Sequence, residues 1–534
     1  MSGLALGAIP ERDVGYAHRH AGYAHDVLRA AVIVCCTVLC VSACSHASKS
    51  ASAPKSASPD SSSGVQGSAP AATAEALVGD PAWRTTRLGP EHAIEGWVDR
   101  VSALPGQPVT LHVSTVDRHW QVTAYRMGWY GGALAHRVWQ SGTEPGVRQP
   151  KPTRSAATNT VQTAWRPSLT LPTADWPPGA YLLRLDGQTG QRYVPLTIRS
   201  QETAGRTVLI LPVTTWQAYN DWGGYSLYHG PGGLNDFDNR SVAVSFDRPY
   251  TADGASDFVG SQLPLIAHAE RLGIPLAYAT DVDLHENPHL LAGAVAMISL
   301  GHDEYWSTAM RKSVTAARDA GVNLAFLASN AVFRHIRFAT SRTGPDRIEI
   351  NYKRITDPLY GKNNKEVTVD WREPPLSDPE SSLTGAYYEC NPVDAPMVIT
   401  NPNNWLFAGT GAKRGMKLPH LVGTEYDRVN PGVPTPKNIE VITHSPVNCQ
   451  GVDSFADSAY YTVPSGAGVF DVGTSWFPLG LPEAGAKGVV ARIIGGELTN
   501  LLMAFSAGPA GLAHPAHRNV EALHEFAGDP IWGQ

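Results

Sequence analysis

A run of apolar residues from Ala294 to Leu300 stops abruptly at Gly301-His302-Asp303-Glu304-Tyr305. Between them, His302, Asp303 and Glu304 can bind a cation or move a proton. At the end of a buried strand such a cluster sits where open parallel sheets gather their ligands. A blander reading also fits, because Asp303 and Glu304 would suit the positive end of a following helix. The residues alone leave the two readings open. Two more strand ends are polar or aromatic. Trp216, Tyr219, Asn220, Asp221 and Trp222 follow the run Val208–Leu211, and Asn330 follows Val322–Leu327. Aromatic residues at this density are usually packing, whereas Asn330 would face the same crevice as Glu304.

Other motifs carry less. His285-Glu286-Asn287-Pro288-His289 spells a zinc-protease signature, which needs both histidines on one helical face. Pro288 lies between them and biases Asn287 away from the helical region, so the segment reads as a turn. The strand-to-helix elbow at Gly301–Tyr305 has neither Ser nor Cys, and no G-x-S-x-G, P-loop or dinucleotide fingerprint occurs. Net charge is −6 from 42 basic and 48 acidic residues, with no long basic run, which argues against a nucleic-acid partner. At 534 residues and 43% hydrophobic content, the chain can bury sizeable cores and is long enough for more than one domain.

These residues need elements to hold them. From residue 80 to 203 the pattern has period two. Val109, Leu111 and Val113 alternate with Thr110, His112 and Ser114, and Tyr181–Leu185 follows Pro177-Pro178-Gly179. This predicts a β-sandwich of immunoglobulin type. From residue 204 to 534 the rhythm changes to strands at Val208–Leu211, Pro275–Ala279, Ala294–Leu300 and Val322–Leu327. A helix face lies between Phe258 and Leu272, and a second helix is capped by Ser307 and ended by Gly321. That alternation predicts an α/β domain with a mostly parallel sheet. The stretch beyond about residue 340 reads as further sheet elements and insertions.

Near the start, Ala30–Ala43 is apolar, too short for an ordinary membrane span, and ends in Val41-Ser42-Ala43-Cys44. This resembles a bacterial lipobox. It predicts a signal peptide over residues 1–43, lipid on Cys44, and a body held at a bacterial cell-envelope membrane by a Ser/Ala/Pro-rich tether over residues 44–79. The long preceding stretch carries Glu11, Asp13 and Asp26, which suggests a translation start near Val27. In an exported body Cys390 and Cys449 are expected to pair, with about 4 kcal/mol of stabilisation from loop closure.

Several motifs occur together and in order: Thr215-Trp-Gln-Ala-Tyr-Asn-Asp-Trp-Gly-Gly224, Ser245-Phe-Asp-Arg-Pro-Tyr250, Gly301-His-Asp-Glu-Tyr-Trp306, Asn323–Asn330, Leu421-Val-Gly-Thr-Glu-Tyr-Asp427 and Thr462–Phe470. Over roughly residues 90 to 520 the chain resembles the large (beta) subunit of N,N-dimethylformamidase and its relatives. The resemblance implies a class I glutamine-amidotransferase-like core without that class's cysteine. It also implies a mononuclear, ferric iron held by two tyrosines and a glutamate. Carried over by position, Glu304 and Tyr219 are metal ligands. The second ligand tyrosine is matched to Tyr181, with Tyr130 as fallback. His302 lies near the reacting centre, Asn330 is a substrate-side polar group and Glu425 a general base. Hard oxygen ligands suit ferric iron. The implied activity is metal-dependent hydrolysis of the C–N bond of a small amide, with a small partner subunit or a homo-oligomer as the assembly. The rival expectation is a non-catalytic envelope lipoprotein that binds glycan or a small ligand at a vestigial site.

Overall fold

Alternating apolar residues build the first part of the chain, as seen in a computed structural model that describes residues 78–523. The leader, Cys44 and most of the tether lie outside the described residues. Strands β1 (Ile94–Val98), β2 (Val109–Thr115), β3 (His119–Met127), β4 (Ala135–Gln140), β5 (Leu169–Leu171), β6 (Gly179–Gly187) and β7 (Gln191–Ile198) form two sheets. One runs β1-β2-β5 and the other β7-β6-β3-β4, each antiparallel. Between them lies a core of Ile94, Leu111, Val113, Val122, Leu183 and Ile198. Both faces of β2 are covered, because His112 stacks on Trp97 at 4.0 Å.

The second part begins with β8 (Thr207–Leu211) and α1 (Val213–Tyr219), followed by β9 (Ala243–Ser245), α2 (Leu263–Arg271), β10 (Leu276–Thr280) and α3 (Asp281–Glu286). Then come β11 (Ala296–Ser299), β12 (Tyr305–Ser307), α4 (Thr308–Asp319), β13 (Asn323–Phe326), β14 (Arg334–Ala339) and β15 (Ile348–Ile350). The chain continues through β16 (Tyr387–Val398), β17 (Lys417–Arg428), β18 (Glu440–Cys449), β19 (Val452–Thr462), β20 (Gly468–Asp471) and α5 (Gly488–Ser506). The largest sheet has the order β10-β8-β11-β13-β20-β19-β18. Its first five strands are parallel, and β19 and β18 return antiparallel.

The expectation of a mostly parallel α/β fold with a glutamine-amidotransferase-like core is therefore corrected. The structure is β-rich, with mixed and antiparallel sheets and 21% helix. The reason lies beyond Asn330. There the chain does not continue strand–helix alternation but folds back in two long antiparallel pairs, β16 with β17 and β18 with β19. A smaller mixed sheet, β9-β15-β14-β12, lies beside the largest one.

The described residues belong to one compact unit. Tyr125, Met127 and Leu182 of the first part share a buried cluster with Leu209, Leu211 and Leu265 of the second. Polar contacts add to this: Trp222 Nε1 donates to Glu95 Oε1 at 2.8 Å, and Arg126 pairs with Glu270 at 2.7 Å. α4 starts where local chemistry dictates, with Ser307 Oγ accepting from Met310 N.

Candidate active site

Glu304 follows the end of β11 and immediately precedes β12, and its backbone N–H donates to Thr215 Oγ1 of α1 at 2.9 Å. That bond ties the two strand-end segments together. The carboxylate is 1% exposed. Tyr219, the last residue of α1, donates its phenol to Glu304 Oε2 at 2.7 Å. Tyr228 Oη lies 3.0 Å from Glu304 Oε1 and 3.3 Å from Oε2. The two phenol oxygens are 3.0 Å apart, with stacked rings. Tyr305 Oη donates to Tyr228 Oη at 2.7 Å.

Positive charge flanks this group. Arg334 Nε is 3.3 Å from Glu304 Oε1, and its guanidinium also pairs with Asp370. Lys353 Nζ lies 3.1 Å from the centre of the Tyr228 ring. Burial, then the Glu304 carboxylate, holds the Tyr219 phenol well above its ordinary range, and Tyr305 is raised for the same reasons.

His302 joins this cluster to a second carboxylate. Its Nε2 is 3.1 Å from Glu425 Oε2 and 3.7 Å from Glu304 Oε2. Burial by itself would depress the imidazole; the Glu425 carboxylate reverses that, and with Glu304 behind it His302 is raised to about 9. Asn330 Nδ2 donates to Glu425 Oε2 at 3.0 Å. Asn330 has φ of 59°, a left-handed conformation that asparagine tolerates, and its N–H is anchored on Asp427 Oδ1 at 2.8 Å. Its buried Oδ1 has no hydrogen-bond partner among the described residues.

The structure thus brings together Glu304, Tyr219, His302, Asn330 and Glu425. It does not bring Tyr181 to them. On β6, Tyr181 shares a face with Leu183 and Leu185 and joins the core between the first two sheets. Its phenol donates to Pro177 O at 2.6 Å and its ring stacks on Trp176. The fallback, Tyr130, accepts from Arg126 instead. Both assignments are corrected, because strand alternation and the Arg126–Glu270 pair commit these tyrosines elsewhere.

The tyrosine that stands where Tyr181 was expected is Tyr228, which sequence reasoning missed. A signal was available. Gly223 and Gly224, with φ of 80° and 84°, reverse the chain between Tyr219 and Tyr228. Leu227 N then bonds back to Ala218 O at 2.9 Å, which lays Tyr228 over Tyr219.

Two phenols and a carboxylate, each with an oxygen within 3.3 Å of another, form a buried all-oxygen donor set suited to a hard cation. Arg334 and Lys353 flank this donor set. Elsewhere, His285 bonds Ser307 Oγ at 2.8 Å while His289 is exposed, so the two do not converge. Cys390 and Cys449 are joined by a disulfide.

Residues 121–488 match the family model described as N,N-dimethylformamidase beta subunit-like, C-terminal. No curated protein matches the chain.

Proposed function

Since the chain belongs to the N,N-dimethylformamidase beta subunit-like family, and is a hydrolase of that related kind, we propose that it cleaves the C–N bond of a small amide at the Glu304 site. The observation that carries this reading is the meeting of Tyr219 and Tyr228 on Glu304, beside the His302–Glu425 pair. Tyr219, Tyr228 and Glu304 would hold a single hard cation, iron(III) by donor type. When bound, such a cation supplies Lewis acidity toward an amide carbonyl and toward water.

The chain's own residues manage the protons. Glu425 takes a proton from the attacking water as its oxygen bonds to the carbonyl carbon. His302, which shares its proton with Glu425, gives one to the departing nitrogen as the C–N bond breaks. Acid and amine leave, and one water is consumed. Asn330 Oδ1 offers an unused acceptor to the attacking water.

Metal content and a visible tyrosinate charge-transfer band test this, together with amine release from N,N-dimethylformamide. Wild type should carry iron and release amine; Glu304→Ala, Tyr219→Phe and Tyr228→Phe should lose both. Equal trace metal in all four proteins, with no hydrolysis, would leave the non-catalytic lipoprotein reading.

The family's naming as a beta subunit supports a partner subunit, which co-purification from the native host would detect. We further propose export and lipid attachment at Cys44, on Val41–Cys44 alone. Fatty-acid labelling that survives Cys44→Ser would end that part.

A further inference from the structure

Resting on the hydrolase reading above, we propose that Asn391 is a positioning residue for Glu425, and that the Cys390–Cys449 disulfide holds it in place. The terminal torsion of a glutamate is broad and roughly two-fold, so the side chain alone does not choose which oxygen faces the substrate. Oε2 of Glu425 is taken by Asn330 and His302. Asn391 Nδ2 holds the other oxygen, Oε1, at 3.3 Å, and donates to Tyr388 Oη at 2.6 Å. With both oxygens engaged, the carboxylate cannot swing without breaking contacts on each side.

The β16–β17 ladder breaks between Cys390 and Val393, so Asn391 sits in a bulge without a ladder partner of its own. Bulges re-aim side chains, and this one turns the amide toward Glu425. The covalent tie one residue earlier runs to Cys449, the last residue of β18. One residue further on, Gln450 Nε2 donates to Asn391 O at 2.9 Å. The bridge and this bond together tie Cys390 and Asn391, at the start of the bulge, to Cys449 and Gln450.

The test is a double-mutant cycle on the full chain. Asn391→Ala and Cys390→Ser/Cys449→Ser should each lower kcat for N,N-dimethylformamide roughly tenfold with KM nearly unchanged, as expected for a displaced catalytic group. The triple variant should be no worse than the poorer of the two. Losses that multiply would overturn the proposal, because a merely structural disulfide acts independently of Asn391. A second readout needs no activity: labelling of Glu425 by a water-soluble carbodiimide with glycinamide, scored by peptide mass spectrometry. Labelling should rise severalfold in both variants and no further in the triple. Wild-type labelling of Glu425 in the double-serine protein overturns the inference even if no amide is hydrolysed, whereas absent hydrolysis with raised labelling sinks only the hydrolase reading. If the double-serine protein does not fold, folded wild type treated with a water-soluble phosphine replaces it. The phosphine becomes its oxide with oxygen from water, and its two electrons with two protons convert the disulfide to two thiols.

Discussion

Tyr228 and Glu304 stand 76 residues apart in the chain and meet at 3.0 Å in the interior. Tyr219 reaches the same carboxylate from the other side of a glycine turn. The site is therefore built from one α1–turn segment laid against one strand end.

On the iron reading proposed above, Tyr228→Phe is expected to remove iron binding as thoroughly as Tyr219→Phe, and to cost roughly 2–3 kcal/mol of stability because Glu304 loses a donor and Tyr305 its acceptor. Tyr181→Phe is the matching control. It should cost about 1 kcal/mol through the single lost bond to Pro177 O, yet keep full iron content and amide hydrolysis. Iron retained by Tyr228→Phe but lost from Tyr181→Phe would reverse the assignment.

Arg334 is buried between Glu304 and Asp370. Arg334→Met leaves two buried carboxylates without their cation and should destabilise the fold by roughly 3–5 kcal/mol. Chemical denaturation reads this directly, and a loss under 1 kcal/mol would contradict it.

Asn330→Gly keeps a residue that adopts positive φ freely but deletes the side-chain amide. It should fold with near wild-type stability and lose at least tenfold in kcat. Asn330→Ala should lose the same activity and in addition about 1 kcal/mol of stability from backbone strain.

Glu497 on α5 is buried, with neither carboxylate oxygen bonded among the described residues, and burial pushes it up to about 8. Its folded value lies above the unfolded one, so the folded state holds the proton more tightly. Stability from this group is full below about pH 4.5 and falls as pH rises toward 8. Glu497→Met should flatten that decline and be more stable than wild type by a few kcal/mol at pH 8.5, at about 1.4 kcal/mol per pH unit between the two values. Thermal midpoints at pH 5 and 8.5 check it; equal differences at both would refute the assignment.

Local patterns marked several elements well. Val208–Leu211, Pro275–Ala279, Ala294–Leu300 and Val322–Leu327 fall on β8, β10, β11 and β13, and Ser307 caps α4. Each is a short apolar run or a cap whose signal lies within a few residues. The fold class was not legible in the same way. Those strands implied continued strand–helix alternation, but the chain beyond Asn330 spends its length on antiparallel pairing, and strand direction is a long-range property that no local period records.

The same division runs through the site. The residue types after each strand, with His302 and Glu304 at one end and Asn330 at another, were set by the sequence, because hydrophobic runs end where burial must end. Which phenol joins Glu304 was decided only in three dimensions. Tyr181 and Tyr228 are chemically identical in sequence; strand alternation turns the first into a core, and a two-glycine reversal brings the second onto the carboxylate.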